Sequence, residues 1–312
     1  FQAIDPGSIP GRRIQNKMTE NIEHKNWYDK YYKLMLFPPV ILFLICIIFL
    51  GLFYKAHGDF FSKDSSLAGG TTITINGDID YVALENELKQ KFEDVKTREI
   101  KDFTTGKSIA VIVDSSAQPE ELKAEIEIFL GFKLVGENSS IEFTGPTLSQ
   151  NFYRQFLIAI IFSFILMSIT IFILFKTFIP SIAVIFAAFA DIIMTVAAVN
   201  ILDIKLSAAG IAAFLMLIGY SVDTDILLTT RVLKKTEGSV NQRIYSSFKT
   251  GLFMTITGLL AVLPAFFIIK TLPDSFRQIF LILSIGLFAD IVNTWLTNAS
   301  ILKWYADSKG IK

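Results

Sequence analysis

Leu217-Ile-Gly-Tyr-Ser-Val-Asp-Thr-Asp-Ile-Leu-Leu-Thr-Thr-Arg231 closes an apolar run that begins at Leu206. About 20 apolar residues are enough for a helix to cross a bilayer. This run is long enough, yet it carries two carboxylates, Asp223 and Asp225, just after a polar Gly219-Tyr220-Ser221. A charge at that depth costs about 2.5–3.5 kcal/mol on insertion scales. Such a residue faces other helices or water, and a functional role is its default reading. The plain alternative is a carboxylate that stays hydrogen-bonded and only holds helices together.

Two further apolar blocks carry acids near their middles. Asp191 lies roughly 16 Å into Ile179–Ile201, and Asp290 roughly 21 Å into Phe276–Leu302. Asp223 lies roughly 11 Å from the inner end of its own span. These depths let the carboxylates converge inside a bundle. Thr224, Thr255, Thr257, Asn293, Thr294 and Asn298 add polar groups on the same helices. Carboxylates respond to burial and to nearby charge, so a membrane-embedded Asp can take up and release a proton as its access changes. Asp223, Asp225, Asp191 and Asp290 are therefore the proton-coupling candidates. Asp223 stands foremost, and Asp225 has a simpler alternative, capping or pairing with Arg231. A carboxylate cage for sodium is a further alternative.

Composition supports a membrane protein and narrows the chemistry. The chain is 52% hydrophobic with 29 Phe, and its mean hydropathy is +0.51. Lys+Arg and Asp+Glu are both 29, so no nucleic-acid partner is indicated. The single Cys46 rules out an internal disulfide framework or a Cys-based metal site. His24 and His57 lie outside the apolar blocks, which removes a histidine relay within the membrane. No metal site and no cofactor are expected. The Gly-x-Gly-Asp motif of intramembrane aspartyl proteases is absent, and no enzyme activity is expected.

Met18-Thr-Glu-Asn looks like a natural start, so residues 1–17 read as an expression scar or a disordered tail. Residues 18–33 mix Trp27, Tyr28, Tyr31 and Tyr32 with lysines, as suits a headgroup-level segment. The first span is 34–53. Residues 54–153 then change character. Gly69-Gly70-Thr-Thr-Ile-Thr-Ile-Asn76 alternates like a strand, and Leu84, Leu88 and Phe92 share one helical face. Strands over 94–103 and 108–113 flank a turn at Thr105-Gly106-Lys107, and a helix over 119–132 starts with Pro119. Strand-like 133–135 and 140–143 complete a βαββαβ, ferredoxin-like order. Five spans follow within 154–302, and 303–312 is a tail.

Lysine and arginine gather in the segments that share a side with the N-terminus, namely Lys176, the Arg231–Lys249 region and the C-terminal tail. Both termini are therefore expected in the cytoplasm and residues 54–153 outside. The fold class is an all-α six-helix transmembrane bundle with an inserted α+β ferredoxin-like extracytoplasmic domain. The lipid bilayer is its first partner.

This ordered set of motifs resembles the SecF family, the smaller membrane subunits of the SecD–SecF protein-export complex, and in particular its archaeal members. Leu206 through Asp225, with Ala-Ala and then Gly-Tyr-Ser before an acid, is similar to the family's fourth span. Gly69-Gly70-Thr71 is similar to the motif that opens the outer domain, and Gly145-Pro146 to the one before the second span. Ala190-Asp191 resembles a His-Asp pair, with Ala190 in place of the His. Bacterial members usually carry Asn-Asp where this chain has Asp223-Thr224. Lys249 is the match for an Arg at the start of the fifth span.

The resemblance implies half of an RND-type architecture, pairing with SecD beside a SecYEG-type channel, and preproteins as cargo. It implies that export is driven by the proton motive force in the cytoplasmic membrane, with H+ as coupling ion. The alternative is an RND-type half-transporter of a lipid or small hydrophobic molecule, for which one outer module of about 100 residues is small. A purely structural scaffold is the remaining rival, and it would tolerate neutral replacements of the acids.

Overall fold

The computed structural model describes residues 28–311 apart from 93, 103–104, 236 and 269–273. The expectations for 1–17 and for residues 18–27 of the headgroup segment fall outside the described residues. Six helices among those described are long and apolar enough to span a bilayer. The first, α1 (Phe37–His57), continues a helical stretch over 28–35. It opens with Pro in its first turn and ends on Gly58, whose φ of 77° lets its N–H close on the Tyr54 carbonyl at 2.8 Å.

A one-turn helix, α2 (Ser65–Ala68), leads into the inserted α+β domain. There β1 (Gly70–Asn76), α3 (Tyr81–Leu88), β2 (Lys96–Lys101), β3 (Ser108–Ser115), α4 (Pro119–Leu130) and β4 (Ser139–Thr144) follow in the βαββαβ order. The sheet runs β2-β3-β1-β4 with every neighbour antiparallel. Period-2 alternation turns Ile73, Ile75, Val111 and Val113 to one face, where Leu84, Leu88, Leu122 and Ile126 cover them. Asp80 caps α3 by accepting from the backbone N–H groups of Val82 and Ala83. Gly70 needs to be glycine: its φ is 132°, and a Cβ there would lie 2.4 Å from the Ser115 carbonyl oxygen.

Five helical segments then build the rest of the bundle. They are α5 (Pro146–Phe175), α6 (Phe178–Ile201), α7 (Ala208–Lys234), α8 (Val240–Ile268) and the last span. The last span is divided into α9 (Asp274–Val292), a π-helical turn (Asn293–Asn298) and α10 (Ala299–Lys309). α6 and α7 are the most enclosed, whereas α5 and α8 present Ile161, Phe162, Phe253 and Leu260 outward. Outward apolar side chains have no solvent penalty in lipid. α1 packs on α6 through Phe43, Cys46 and Leu50 against Ala190, Met194 and Ala197. Glycines allow close crossings. A Cβ on Gly286 would meet Leu217 at 2.4 Å, and one on Gly251 would meet the Trp295 ring at 2.4 Å.

Several features depart from the sequence reading: residues 133–135 lie in no strand, and α5 begins at Pro146, within the stretch expected to belong to the inserted domain. α8 begins about ten residues before the apolar block at Gly251, because Val240 and Ile244 bury against Leu228, Val232 and Leu302 at the end of the bundle away from the sheet. The last span is also not one regular helix, since the π turn interrupts it just after Asp290.

Candidate functional site

Asp191 on α6, Asp225 on α7 and Asp290 on α9 are fully buried. Their helices meet in the bundle interior, and each acid is held by hydroxyl or amide groups from a neighbour. The Ser221 hydroxyl donates to Asp191 Oδ2 at 2.5 Å, and Asn293 Nδ2 donates to Asp191 Oδ1 at 2.6 Å. Asn298 Nδ2 donates to Asp225 Oδ1 at 2.7 Å. The Thr224 hydroxyl lies 3.1 and 3.2 Å from the two oxygens of Asp290. Between the last two acids stands Thr294, whose hydroxyl oxygen is 2.9 Å from both Asp225 Oδ1 and Asp290 Oδ1.

The local sequence explains this gathering. Ser221 and Asp225 are four apart on α7 and so share one face. Ser207 caps the start of that helix by accepting from the Gly210 N–H at 3.0 Å. The wide turn at Asn293–Asn298 sets Asn293 toward α6 while Thr294 and Asn298 reach α7. π turns of this kind recur at functional sites. Among the described residues no Lys or Arg forms an ion pair with the three acids. Asp225 Oδ2 is buried and has no hydrogen-bond partner among the described residues. The hydrogen count makes the cluster specific. A hydroxyl has one hydrogen, so Thr294 either shares it between the two carboxylates or donates to one and accepts a carboxyl O–H from the other. The arrangement therefore suits a pair of acids that hold one proton between them.

The other sequence candidates lie elsewhere. Asp223, placed foremost from the sequence, is exposed on the outer face of α7, as are Gly219 and Tyr220. Two residues of helix turn a side chain by about 200°, so Asp223 and Asp225 look in nearly opposite directions. Asp225 does not pair with Arg231. Arg231 instead ties α7 to α8 through the Ser246 carbonyl at 2.8 Å and the Thr250 hydroxyl at 3.0 Å. Lys249 is exposed and sits 4.8 Å over the Tyr245 ring, away from the acids. Gly69 precedes β1, Thr71 donates to the Ala117 carbonyl at 2.6 Å, and Gly145 with Pro146 starts α5, so this set shapes the α+β domain and its exit. Sequence reasoning passed over Ser221 as a direct carboxylate partner and Thr294 as the bridge. Their spacing from Asp225 and Asp290, four residues in each case, was the available signal.

Comparison with known proteins gives a consistent result. Residues 130–308 match the family model described as protein export membrane protein SecD/SecF, C-terminal. The protein-export membrane protein SecF of Methanocaldococcus jannaschii is 36% identical over 283 residues, which is 88% of this chain and 96% of that protein. The SecF of Pyrococcus furiosus is 37% identical over 276 residues, 88% of this chain and 90% of that protein. The crystal structure of SecDF, a translocon-associated membrane protein from Thermus thermophilus, superposes with a TM-score of 0.73 over 90% of this chain. At 17% identity that likeness concerns the fold alone, and this chain spans 38% of that longer one. Six apolar spans and these relatives make the chain a multi-pass membrane protein.

Proposed function

The chain belongs to the SecF family of protein-export membrane proteins, and from that premise we propose that it promotes export by coupling proton movement to the Sec machinery. In this reading it pairs with SecD, works beside a SecYEG-type channel and acts on translocating preproteins. It catalyses no covalent reaction. Both termini face the cytoplasm, and the domain within 54–153 faces outward.

The observation that carries the coupling is the Asp225–Thr294–Asp290 bridge, with its single hydroxyl hydrogen between two buried carboxyl groups. A proton arriving or leaving changes which group donates. Thr294 and Thr224 then rotate, and Asn298 and Ser221 follow through the bonds described above. A buried acid without a cation is costly when ionised, so a change of proton occupancy changes the preferred packing of α7 against the last span.

A second observation supports a helical partner. Met216, Gly219, Tyr220 and Asp223 recur at helical spacing along the outward stripe of α7. A carboxylate on that stripe, inside an apolar span, calls for a neighbour that supplies polar groups. A second six-helix bundle, as in SecD, would supply them.

The test is gradient-dependent export of a reporter preprotein into membrane vesicles carrying the assembled complex. Asp225→Asn is expected to remove the response to the proton gradient while assembly is retained. An unchanged response in an assembled Asp225→Asn complex would sink the proposal.

A further inference from the structure

Between α6 and α7 lies the short outer loop 202–207, and three elements clamp it. Its backbone pairs with the segment that leads from α1 into the outer domain: Leu206 N–H donates to the Ser62 carbonyl at 2.7 Å, and Asp64 N–H donates to the Leu206 carbonyl at 3.0 Å. The Ala208 N–H, first in α7, donates to Ser66 Oγ at 2.9 Å. Its one cation reaches into the sheet, where Lys205 Nζ lies 2.8 Å from Asp114 Oδ2 on β3. Asp114 is buried, and its other oxygen accepts from the Thr72 hydroxyl of β1 at 2.7 Å. From the last span, Gln278 Oε1 accepts from both the N–H and the hydroxyl of Ser207 at 2.8 Å, while its Nε2 donates to the Lys205 carbonyl. Gly210 leaves the room for this amide, because a Cβ there would meet Gln278 Oε1 at 2.5 Å.

The residues so joined carry both ends of the acid pair. Ser207 caps the helix that holds Asp225, and Gln278 lies in the helix that holds Asp290. An α-helix rises 1.5 Å per residue, so about 27 Å of rigid rod separates Ser207 from Asp225.

We propose that Lys205 and Gln278 are positioning residues of a joint that carries movement of the two acid-bearing helices to the outer domain, with Asp114 as the point of attachment in the sheet. The joint moves as one body. The Lys205–Asp114 pair fixes the sheet to the loop, and Gln278 fixes the loop to the last span. Shear between α7 and α9 at the acids thereby becomes a tilt of the sheet. The joint rests on the reading of the chain as gradient-coupled, and the experiment separates it from the part played by the acids.

Vesicles with the full chain and its native partners would be assayed for the ratio of gradient-stimulated to unstimulated export. Lys205→Met keeps the length of the side chain and removes its charge. It is expected to lower that ratio about fivefold, with Lys205→Arg close to the parent. Arg98 on β2 also lies 3.8 Å from Asp114 Oδ2, so the pair is tested from the lysine side and not by exchanging the two charges. An assembled Lys205→Met complex with the parental ratio overturns the joint. If Lys205→Met does not assemble, Asp114→Asn, which keeps volume and the Thr72 bond, is read in the same way. Asp225→Asn is run alongside. A lost response there with a normal Lys205→Met overturns only the joint, whereas a normal response there with a lost one in Lys205→Met overturns the role of the acids and leaves the joint standing.

Discussion

Asp225 and Asp290 lie on different helices and are joined through one atom, the Thr294 hydroxyl oxygen 2.9 Å from each. Thr294→Val keeps the shape and removes both bonds. A buried polar group left without its partner costs about 1–3 kcal/mol. The variant is expected to unfold at a lower temperature in detergent and to lose gradient-dependent export, while Thr294→Ser, with the same hydroxyl, keeps most of both. Thermal unfolding and the vesicle assay on the same preparations check this, and a Val variant with parental export refutes it.

The outward stripe of α7 gives a prediction with a spatial readout. Cysteine introduced at Tyr220 or Asp223 in a Cys46→Ser background is expected to cross-link to a helix of the partner subunit. Cysteine at Leu228, which is buried against the last span, is expected not to. Asp223→Leu is expected to leave the folding of this chain near the parent and to reduce co-purification of the partner. Cross-linking from position 228 and none from 220 or 223 would reverse the assignment of the faces.

Gly251 on α8 faces the Trp295 ring, which is buried and meets Phe248 edge-on with centroids 5.3 Å apart. The added methyl of Gly251→Ala would have to displace a rigid indole in a packed core. Overpacking of that kind costs about 1–3 kcal/mol. Gly219→Ala, whose methyl meets nothing within 4 Å of its Cβ, is the control, and its melting temperature is expected to stay with the parent.

Asp64, beside the joint and outside the spans, is buried, and burial pushes its carboxyl from the ordinary 3.8 up to about 6, with the Ser66 bonds offsetting part of the rise. An acid whose folded value exceeds its unfolded value is penalised wherever it must ionise. Stability from this group is therefore gained as pH falls through about 6, is complete below 3.8, and is lost again as pH rises. The span corresponds to about 2–3 kcal/mol. Asp64→Asn is expected to remove this component, so the gain in melting temperature between about pH 7.5 and pH 5 should be smaller than in the parent. An equal gain in both would exclude Asp64 as its source.

The α+β domain was legible because its information is local. The alternation through Gly70–Asn76, Gly106 in the turn before β3 and Pro119 at a helix start each specify their own element. The spans were legible because length and polarity are one-dimensional. Depth along a helix can be read the same way, and the last span that holds Asp290 also supplies Asn293 to Asp191. Azimuth cannot, and it separates Asp223 from Asp225. Both are acids in the same turn, and only the packing of α6 and α9 against α7 tells which one is inside. The Ser221, Asp225 and Thr229 row, all buried, was the one periodic hint. Lys205 and Asp114 are 91 positions apart, and no feature of either neighbourhood announces the pair.

The π turn in the last span means that this helix contains one residue more than its path needs. Ala299 N–H reaches back five positions to the Thr294 carbonyl. That surplus is slack, held at the level of the acids. Rewinding the turn as regular α-helix would swing the stretch on one side of it by about 100°, carrying Asn293 from Asp191 and Thr294 from Asp225. The span thus holds a local gear: taking up one residue of chain turns one flank of the helix against the other and changes the partners of its central side chains.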